Sequence, residues 1–517
     1  MSQQQQEFSP PNPWLVAAAV MLGTFMEILD TTVVNVSLPH ISGSLSASTE
    51  EATWALTSYL VANAIVLPIT GWLSNFFGRK RLLMMSVIGF TAASLLCGIA
   101  TTLPMLILFR VIQGAAGGAL QPLSQAVLLE AFPPDMRGKA MGVWGLGVVV
   151  APILGPVLGG WLTDTYSWRW VFYINVPIGA LSIYMTRRYV FDPPYIKRST
   201  SGIDYWGIGM LIVGIGALQI VLDKGQQEDW FASTWITALL FIAILTLVIF
   251  VMYELWIRNP VVDFRVFKDR SYATGTFLMT MLGFALYGSL VLMPLWLQIL
   301  LGYSSYDAGV AMAPRGMGSF LAMPAVGLLI SRYDARKLLA TGLGLGALTM
   351  YQLSRLSLNA GYWDFFWPQF VQGISLGLLF VPLTTLSMGN IAKERMGNAT
   401  SLFNLLRNLG GGIGIAAVTT MQSRFVQAHI NRLGEHITAY DPKAVAMMQS
   451  LGQATGADPA TANHQAYVMM FGMVAKQATI LTYLQIYQVL AIIFLATIPF
   501  VMLMRRPKPG GEPVAAH

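Results

Sequence analysis

The chain has 517 residues, and charged side chains make up 11% of them, with 31 Lys and Arg against 24 Asp and Glu; an ordinary soluble domain carries about 25%. Apolar residues reach 55%, the formal net charge is +7 and mean hydropathy is +0.59. These values exclude a string of soluble domains, which would need charge over each surface, and a disordered chain, which would be polar. They leave a polytopic membrane protein.

Runs of about 20 mostly apolar residues are long enough to cross the hydrocarbon core as helices. Fourteen follow one another along the chain. Six lie near 14–36, 53–73, 82–101, 104–129, 139–160 and 171–190. Two follow near 206–223 and 234–257, and six more near 272–300, 306–330, 337–355, 366–390, 397–421 and 481–504. Met1 to Pro10 contain no Lys or Arg, so the positive region of a cleavable leader is missing and the first run is expected to remain as a helix. With the N-terminus inside, most basic residues fall between spans on the cytoplasmic side. They include Arg79-Lys80-Arg81, Arg137 and Lys139, Arg187 and Arg188, Arg332, Arg336 and Lys337, and Arg505 and Arg506. Both termini are therefore expected in the cytoplasm. Cys97, the single cysteine, excludes an intramolecular disulfide and sits in an apolar run as a packed thiol.

The chain repeats itself. Phe109-Arg110-Val111-Ile112-Gln113-Gly114 corresponds to Pro368-Gln369-Phe370-Val371-Gln372-Gly373. At the same offset Asp135-Met136-Arg137-Gly138 corresponds to Glu394-Arg395-Met396-Gly397. Lys80-Arg81-Leu82-Leu83 corresponds to Arg336-Lys337-Leu338-Leu339 at a nearly equal offset. Spans 1–6 thus recur as spans 9–14, with spans 7 and 8 inserted. The expected organisation is a tail at 1–13, a six-helix bundle at 14–190, a linker with two inserted transmembrane helices at 191–271, a second six-helix bundle at 272–504 that includes a long outer loop at 422–480, and a tail at 505–517.

Two parallel six-helix repeats are a plan used by membrane transporters, and the short motifs carry a family resemblance. Gly71 to Arg81 resembles the loop signature after span 2 of the major facilitator superfamily, with Asn75 where the family usually has Asp. Leu106 to Gly114 resembles its span-4 signature. Gly147 to Gly160 resembles the antiporter signature of span 5. Leu29 to Pro39 and Ser167 to Gly179 resemble the 14-helix drug:proton antiporter branch, closest to EmrB-type exporters. The resemblance covers almost the whole chain. It implies an all-α major facilitator fold and a secondary active transporter rather than an enzyme. It further implies proton-driven export of hydrophobic toxic compounds by alternating access at a bacterial inner membrane. An EmrA-type periplasmic adaptor and a TolC-type outer-membrane channel are the partners it implies, with the loop at 422–480 as a docking candidate or, alternatively, a helical cap.

Buried charges are the sharpest signals, since each costs about 2.5–3.5 kcal/mol on insertion scales. Glu27 and Asp30 are the carboxylates deep in spans, and their spacing puts them on one helix face. Asp30 and Arg110 each lie about six residues, or about 9 Å, from the outer ends of their spans, so they match in depth if spans 1 and 4 are adjacent. A guanidinium near a buried carboxyl makes a proton site whose affinity changes when the two move apart; the alternative is a permanent ion pair. Glu27 is open between a second proton carrier, an anion that receives a cationic substrate, and polar packing. Arg315 and Arg407 either bind anionic substrate groups, counter Glu27, or bond to backbone. Gln113, Gln121, Gln125, Gln298 and Gln372 are candidate cavity lining, against ordinary helix–helix hydrogen bonding.

Gly155 and Gly159, with Pro156 between, share a helix face that a neighbour can approach closely. The resemblance adds Gly147 and Gly160 and a hinge between the halves. It also implies an inner latch at Gly71, Gly78, Arg79, Lys80 and Arg81; with Asn75 in place of the acid, either another carboxylate near the inner surface substitutes, with Asp135 a candidate, or the latch is weaker. There is no metal spacing, no nucleic-acid patch and no phosphate loop of the Gly-x4-Gly-Lys-[Ser/Thr] type, so no cofactor is expected and the drive is the proton gradient. The competing functions are a metabolite or siderophore exporter and a non-transporting sensor or scaffold.

Overall fold

The computed structural model describes residues 12–133, 136–192, 204–257, 259–330, 332–435, 437–438, 440–455 and 459–504. Among them are eighteen α-helices and no strands. The first part of the chain holds α1 (Pro13–Ser44), α2 (Thr49–Ala52), α3 (Trp54–Phe77), α4 (Arg79–Ile99), α5 (Leu103–Gly117), α6 (Leu120–Ala131), α7 (Arg137–Thr165), α8 (Trp170–Tyr173) and α9 (Asn175–Tyr189). Next come α10 (Tyr205–Lys224) and α11 (Thr234–Trp256). The last part holds α12 (Arg270–Leu295), which ends in a π-helical turn at Trp296–Leu300, then α13 (Ser305–Leu329), α14 (Ala335–Leu353), α15 (Tyr362–Met388), α16 (Met396–Gly434), α17 (Pro442–Thr455) and α18 (Pro459–Val501). Ten helices, counting α5 with α6 as one, are long and apolar enough to cross a membrane by length and composition.

Prolines explain two departures from the expected segments. The run at 104–129 is broken after Gly117, and Pro122 is the reason: it has no N–H and its ring crowds the carbonyl four residues back, at Gly118. The run at 171–190 is broken between Tyr173 and Asn175, and Pro177 stands four residues beyond Tyr173. The region 422–480, expected as a loop, is largely helical. α16 continues unbroken to Gly434, α17 packs on α18, and α18 begins at Pro459, well ahead of the apolar run at 481–504. His429 on this extension bonds Gln485 at 3.1 Å; His436 lies outside the described residues, as do Arg505, Arg506 and Lys508 of the tail.

The packing repeats along with the sequence. In the first half α1 packs on α7 and α9, and α5 on α3 and α4; α4 also meets α9. In the second half α12 packs on α16 and α18, and α15 on α13 and α14; α14 also meets α18. The halves meet in two equivalent seams, α3 against α16 and α7 against α13. Of the inserted pair, α10 packs on α3 and α16 as well as on α11. It thus covers one seam, with Gly216 facing Val61 and Ile65 of α3, and Leu222 facing Gly412 of α16. α11 lies outside it and leaves Phe241, Ile244, Val248, Met252 and Trp256 exposed. Such a face suits lipid, because all backbone groups of a helix are already paired within it.

At the end of the molecule that carries Arg79 and Lys393, here the basic face, both seams are tight. A Cβ on Gly71 would lie 2.6 Å from Asn398 Cα, and one on Gly327 would lie 2.9 Å from the Gly138 carbonyl oxygen. The molecule is therefore closed on this face.

Candidate functional site

Asp30 sits in the middle of the first bundle and is 1% exposed. α5 brings Arg110, whose Nη1 donates to Asp30 Oδ2 at 2.5 Å. Gln113, one turn further along α5, donates to Oδ1 at 3.0 Å, and Asn175 at the start of α9 donates to the same oxygen at 2.7 Å. The guanidinium is held in turn. Its Nε donates to the Ala55 carbonyl at 3.0 Å, Nη1 also reaches Gln113 Oε1 at 2.7 Å, and its plane lies over the Tyr59 ring at 4.1 Å. A carboxylate out of water is stable only when paired and hydrogen-bonded, and α5 and α9 supply its partners while α3 holds the guanidinium. The expected adjacency of Asp30 and Arg110 is what the structure has. Gln113 belongs to this cluster rather than to a separate cavity wall.

Glu27, 3% exposed, lies one helical turn away. Asn63 donates to its Oε1 at 3.0 Å and the Tyr59 hydroxyl to the same atom at 3.4 Å. Gln121 on α6 donates to Oε2 at 2.6 Å. The carbonyl oxygen of that same Gln121 accepts a short bond from Arg407 Nη2 on α16. Gln121 thus bridges a carboxylate of one half to a guanidinium of the other. Arg407 also lies over the Trp144 ring at 5.8 Å. Beside this bridge Asn404 Nδ2 donates to Gln125 Oε1 at 2.6 Å, a second polar link across the halves.

The other candidates separate. Arg315 on α13 is 2% exposed and its Nη2 has no hydrogen-bond partner among the described residues. It borders a cavity of about 20 Å³ with Val148, Val149 and Pro152 of α7 and Leu286, Tyr287 and Leu290 of α12. That is room for one water. Gln372 is buried against Met350 inside the second half. Gln298 is exposed and stands apart from both clusters: the π-helical turn buries its neighbours Trp296, Leu297 and Leu300 and turns Gln298 outward. Gln369, the repeat equivalent of Arg110, is buried with its Oε1 unpartnered. The arginine–carboxylate pair of the second half, Arg336–Asp334, is partly exposed and unlike the sealed Asp30–Arg110 pair.

The glycine row divides by helix face. Gly155 and Gly159 seat α7 on Thr32 and Val33 of α1, within one half, and Gly147 faces Met21 of α1. Gly160 has no close neighbour. The contact between the halves falls instead to Gly138 and Gly142, the latter with room for a Cβ only 2.7 Å from the Met323 carbonyl oxygen of α13. Pro152 and Pro156 both lie inside α7. On the basic face Gly78 has φ +89°, which favours glycine. Arg79 forms an ion pair with Glu130 at the end of α6 and donates to the Lys393 carbonyl of the second half at 3.4 Å. Lys80 bonds the Arg187 carbonyl at 2.8 Å and its backbone N–H donates to Asp192 at 2.8 Å. Arg81 is exposed. The carboxylate beside Arg79 is thus Glu130; Asp135 lies outside the described residues.

Tyr59, Asn63, Asn175, Asn404 and Glu130 are site residues that the sequence reading did not single out. Asn63 in an otherwise apolar span was the available signal; Asn175 stood inside a quoted motif without a role.

Ten apolar, membrane-length helices among the described residues, two equivalently packed halves and a buried Asp30–Arg110 pair define a membrane transporter built on a repeat. The chain belongs to the Major Facilitator Superfamily, whose family profile matches residues 20–415. It is 38% identical over 499 residues to the fatty acid resistance protein FarB of Neisseria gonorrhoeae, covering 96% of this chain and 97% of that one. It is 36% identical to the multidrug export protein EmrB of Escherichia coli strain K12 over the full length of both. Among solved structures it is similar in fold to the human organic anion transporter MFSD10, with a TM-score of 0.59 at 12% identity, over 95% of this chain and 100% of that chain.

Proposed function

We propose that the protein is a proton-coupled antiporter that exports hydrophobic compounds across a bacterial inner membrane by alternating access. The observation that carries this is the chain of contacts from Asp30–Arg110 through Tyr59 to Glu27, and from Glu27 through Gln121 to Arg407. A proton arriving on Asp30 weakens its attraction for Arg110. Tyr59 touches both carboxylate clusters, so that change reaches Glu27 and the bridge between the halves. A substrate that displaces Gln121 acts on the same bridge from the other side. The relatives' names, multidrug export and fatty acid resistance, support export as the direction.

In this reading all fourteen apolar segments cross the membrane, both termini are cytoplasmic, and the basic face is the inner one. The helical extension of α16, α17 and α18 then stands on the outer side, where an adaptor of a tripartite pump docks. No cofactor takes part. A second reading, export of one class of amphipathic acid, is favoured by Arg315, a buried guanidinium with an unpartnered Nη2 beside an apolar void.

Substrate-dependent proton release from the purified protein tests the proposal. Native protein releases protons when substrate is added. Asp30→Asn, which keeps the side-chain shape and removes the titratable charge, abolishes the release and drug resistance while the protein still reaches the membrane. Full resistance in Asp30→Asn sinks the proton assignment.

A further inference from the structure

A second buried carboxylate cluster lies far from Asp30, where the inserted helices meet the basic face. Asp204 caps α10: its Oδ1 accepts the Gly207 N–H at 2.9 Å and the Tyr253 hydroxyl at 3.0 Å. Glu254, near the end of α11, uses Oε2 to accept the Val262 N–H at 3.2 Å. Each carboxylate thus has one oxygen with a structural duty. The remaining oxygens, Asp204 Oδ2 and Glu254 Oε1, are buried and have no hydrogen-bond partner among the described residues. Asp204 is 9% exposed and Glu254 2%. Both free oxygens face the same point: a methyl group on Gly207 would overlap the two of them.

We propose that Asp204 and Glu254 are a proton-binding pair that shares one proton and controls the closed contact between α3 and α16. Two carboxylates in one dry site do not both ionise readily, because desolvation and mutual repulsion oppose the second charge. The described residues around the pair offer no counter-charge. Tyr253 is neutral and already donates to Asp204, and Asp263 nearby is acidic and caps Arg265 with its side chain. The Arg265 guanidinium turns to the Ile257 carbonyl. Asn75 and Asn398, on the neighbouring α3 and α16, are uncharged, and neither Asp204 nor Glu254 has an ion pair among the described residues. Lys197, Arg198 and Arg258 lie outside the described residues.

The pair is connected to the seam through backbone. Glu254 holds Val262. The next residue, Asp263, exchanges two hydrogen bonds with Asn398, its N–H to Oδ1 at 3.1 Å and its carbonyl from Nδ2 at 2.8 Å. Asn398 is the residue whose Cα meets Gly71 of α3. With one proton between them the carboxylates stay in place and the turn at 261–263 clamps Asn398. Loss of that proton sets two charges against each other, draws Glu254 away from Val262 and frees the clamp. The inserted helices then make the opening of the basic face depend on the pH it meets. This function rests on the alternating-access reading; the proton site itself does not.

Infrared spectroscopy of the purified full chain over a pH titration tests the site without transport. The native protein shows a protonated-carboxyl band that is lost in Glu254→Gln or in Asp204→Asn; a band set identical to native in both variants overturns the proposal. The coupling is read from Ser74→Cys, since Ser74 is buried beside Gly397 in the closed seam. Its labelling by a maleimide added at the basic face rises with pH more steeply, by about tenfold over the pair's titration, than the same cysteine in a Glu254→Gln background. Equal pH profiles in the two backgrounds overturn the coupling. Failure of either test leaves the Asp30 mechanism standing.

Discussion

Tyr59 holds a place that charge counting does not reveal. Its ring supports Arg110 while its hydroxyl reaches Glu27, so one side chain touches both acidic clusters. Asp30 and Arg110 were legible in the sequence because a charge in an apolar run must have a partner, and their equal depth named it. The neutral partners of Asp30 and Glu27 were not legible in the same way. Asn175 and Asn63 went unnamed and Gln121 was named only as cavity lining, because a neutral amide in a span is as often a helix–helix bond as a site. Gln298, named for its position in an apolar run, lies in a π-helical turn, is exposed and bonds to neither cluster. Gln121 yields a sharp expectation. Gln121→Leu deprives Glu27 and Arg407 of their bridge, at about 1–3 kcal/mol for each buried group left unpaired. Transport should fall by about tenfold or more, while proton exchange at Asp30 without substrate continues. Measuring both fluxes in proteoliposomes decides it, and equal loss of the two would place Gln121 in the proton path instead.

Among the elements, the positions of apolar helices followed from composition, and their ends and breaks did not. Pro122 and Pro177 split two expected spans by acting on carbonyls four residues earlier, a local effect that a hydropathy window averages away. The extension of α16 to Gly434 was hidden for a related reason. Its sequence turns polar after Gln422, which ends an apolar run, yet Gln, Arg, Ala and Leu are good helix formers. Hydropathy reports what meets lipid, and a helix does not have to. The glycines of α7 were legible as a packing row, but the row serves two neighbours on two faces. Gly155 fixes α7 to α1, while Gly142 meets α13 across the halves. The two should therefore fail differently. Gly155→Leu overpacks a contact within one half and costs about 1–3 kcal/mol of stability, read as a lower melting temperature. Gly142→Leu forces α7 and α13 apart at the basic face. It should leave melting nearly unchanged and trap the protein with that face open, read as cysteine labelling at Ser74→Cys that no longer depends on substrate.

For the molecule as a whole, the repeat in sequence became a repeat in packing, and the two seams follow from it: α3 against α16 and α7 against α13 are the same contact made twice. Alternating access requires that these contacts break at one face while they hold at the other. The inserted pair disturbs the symmetry, since α10 covers only the α3–α16 seam, and Trp230 beyond it donates to Thr420 of α16 at 2.8 Å. If the halves rock, this seam must slide beneath α10 and its basic-face end must part. That movement can be stopped chemically. A Cβ on Gly397 would lie 3.1 Å from Ser74 Oγ, close to the spacing between a sulfur and the opposite Cβ in a disulfide. Ser74→Cys with Gly397→Cys should therefore cross-link α3 to α16 on oxidation. Cys97 is buried within the first half and does not compete. The oxidised double variant should lose transport and regain it on reduction, with each single variant unaffected by oxidant. Native transport by fully cross-linked protein would mean that the basic face never opens along this seam, and the route for substrate would have to run beside α7 and α13 alone.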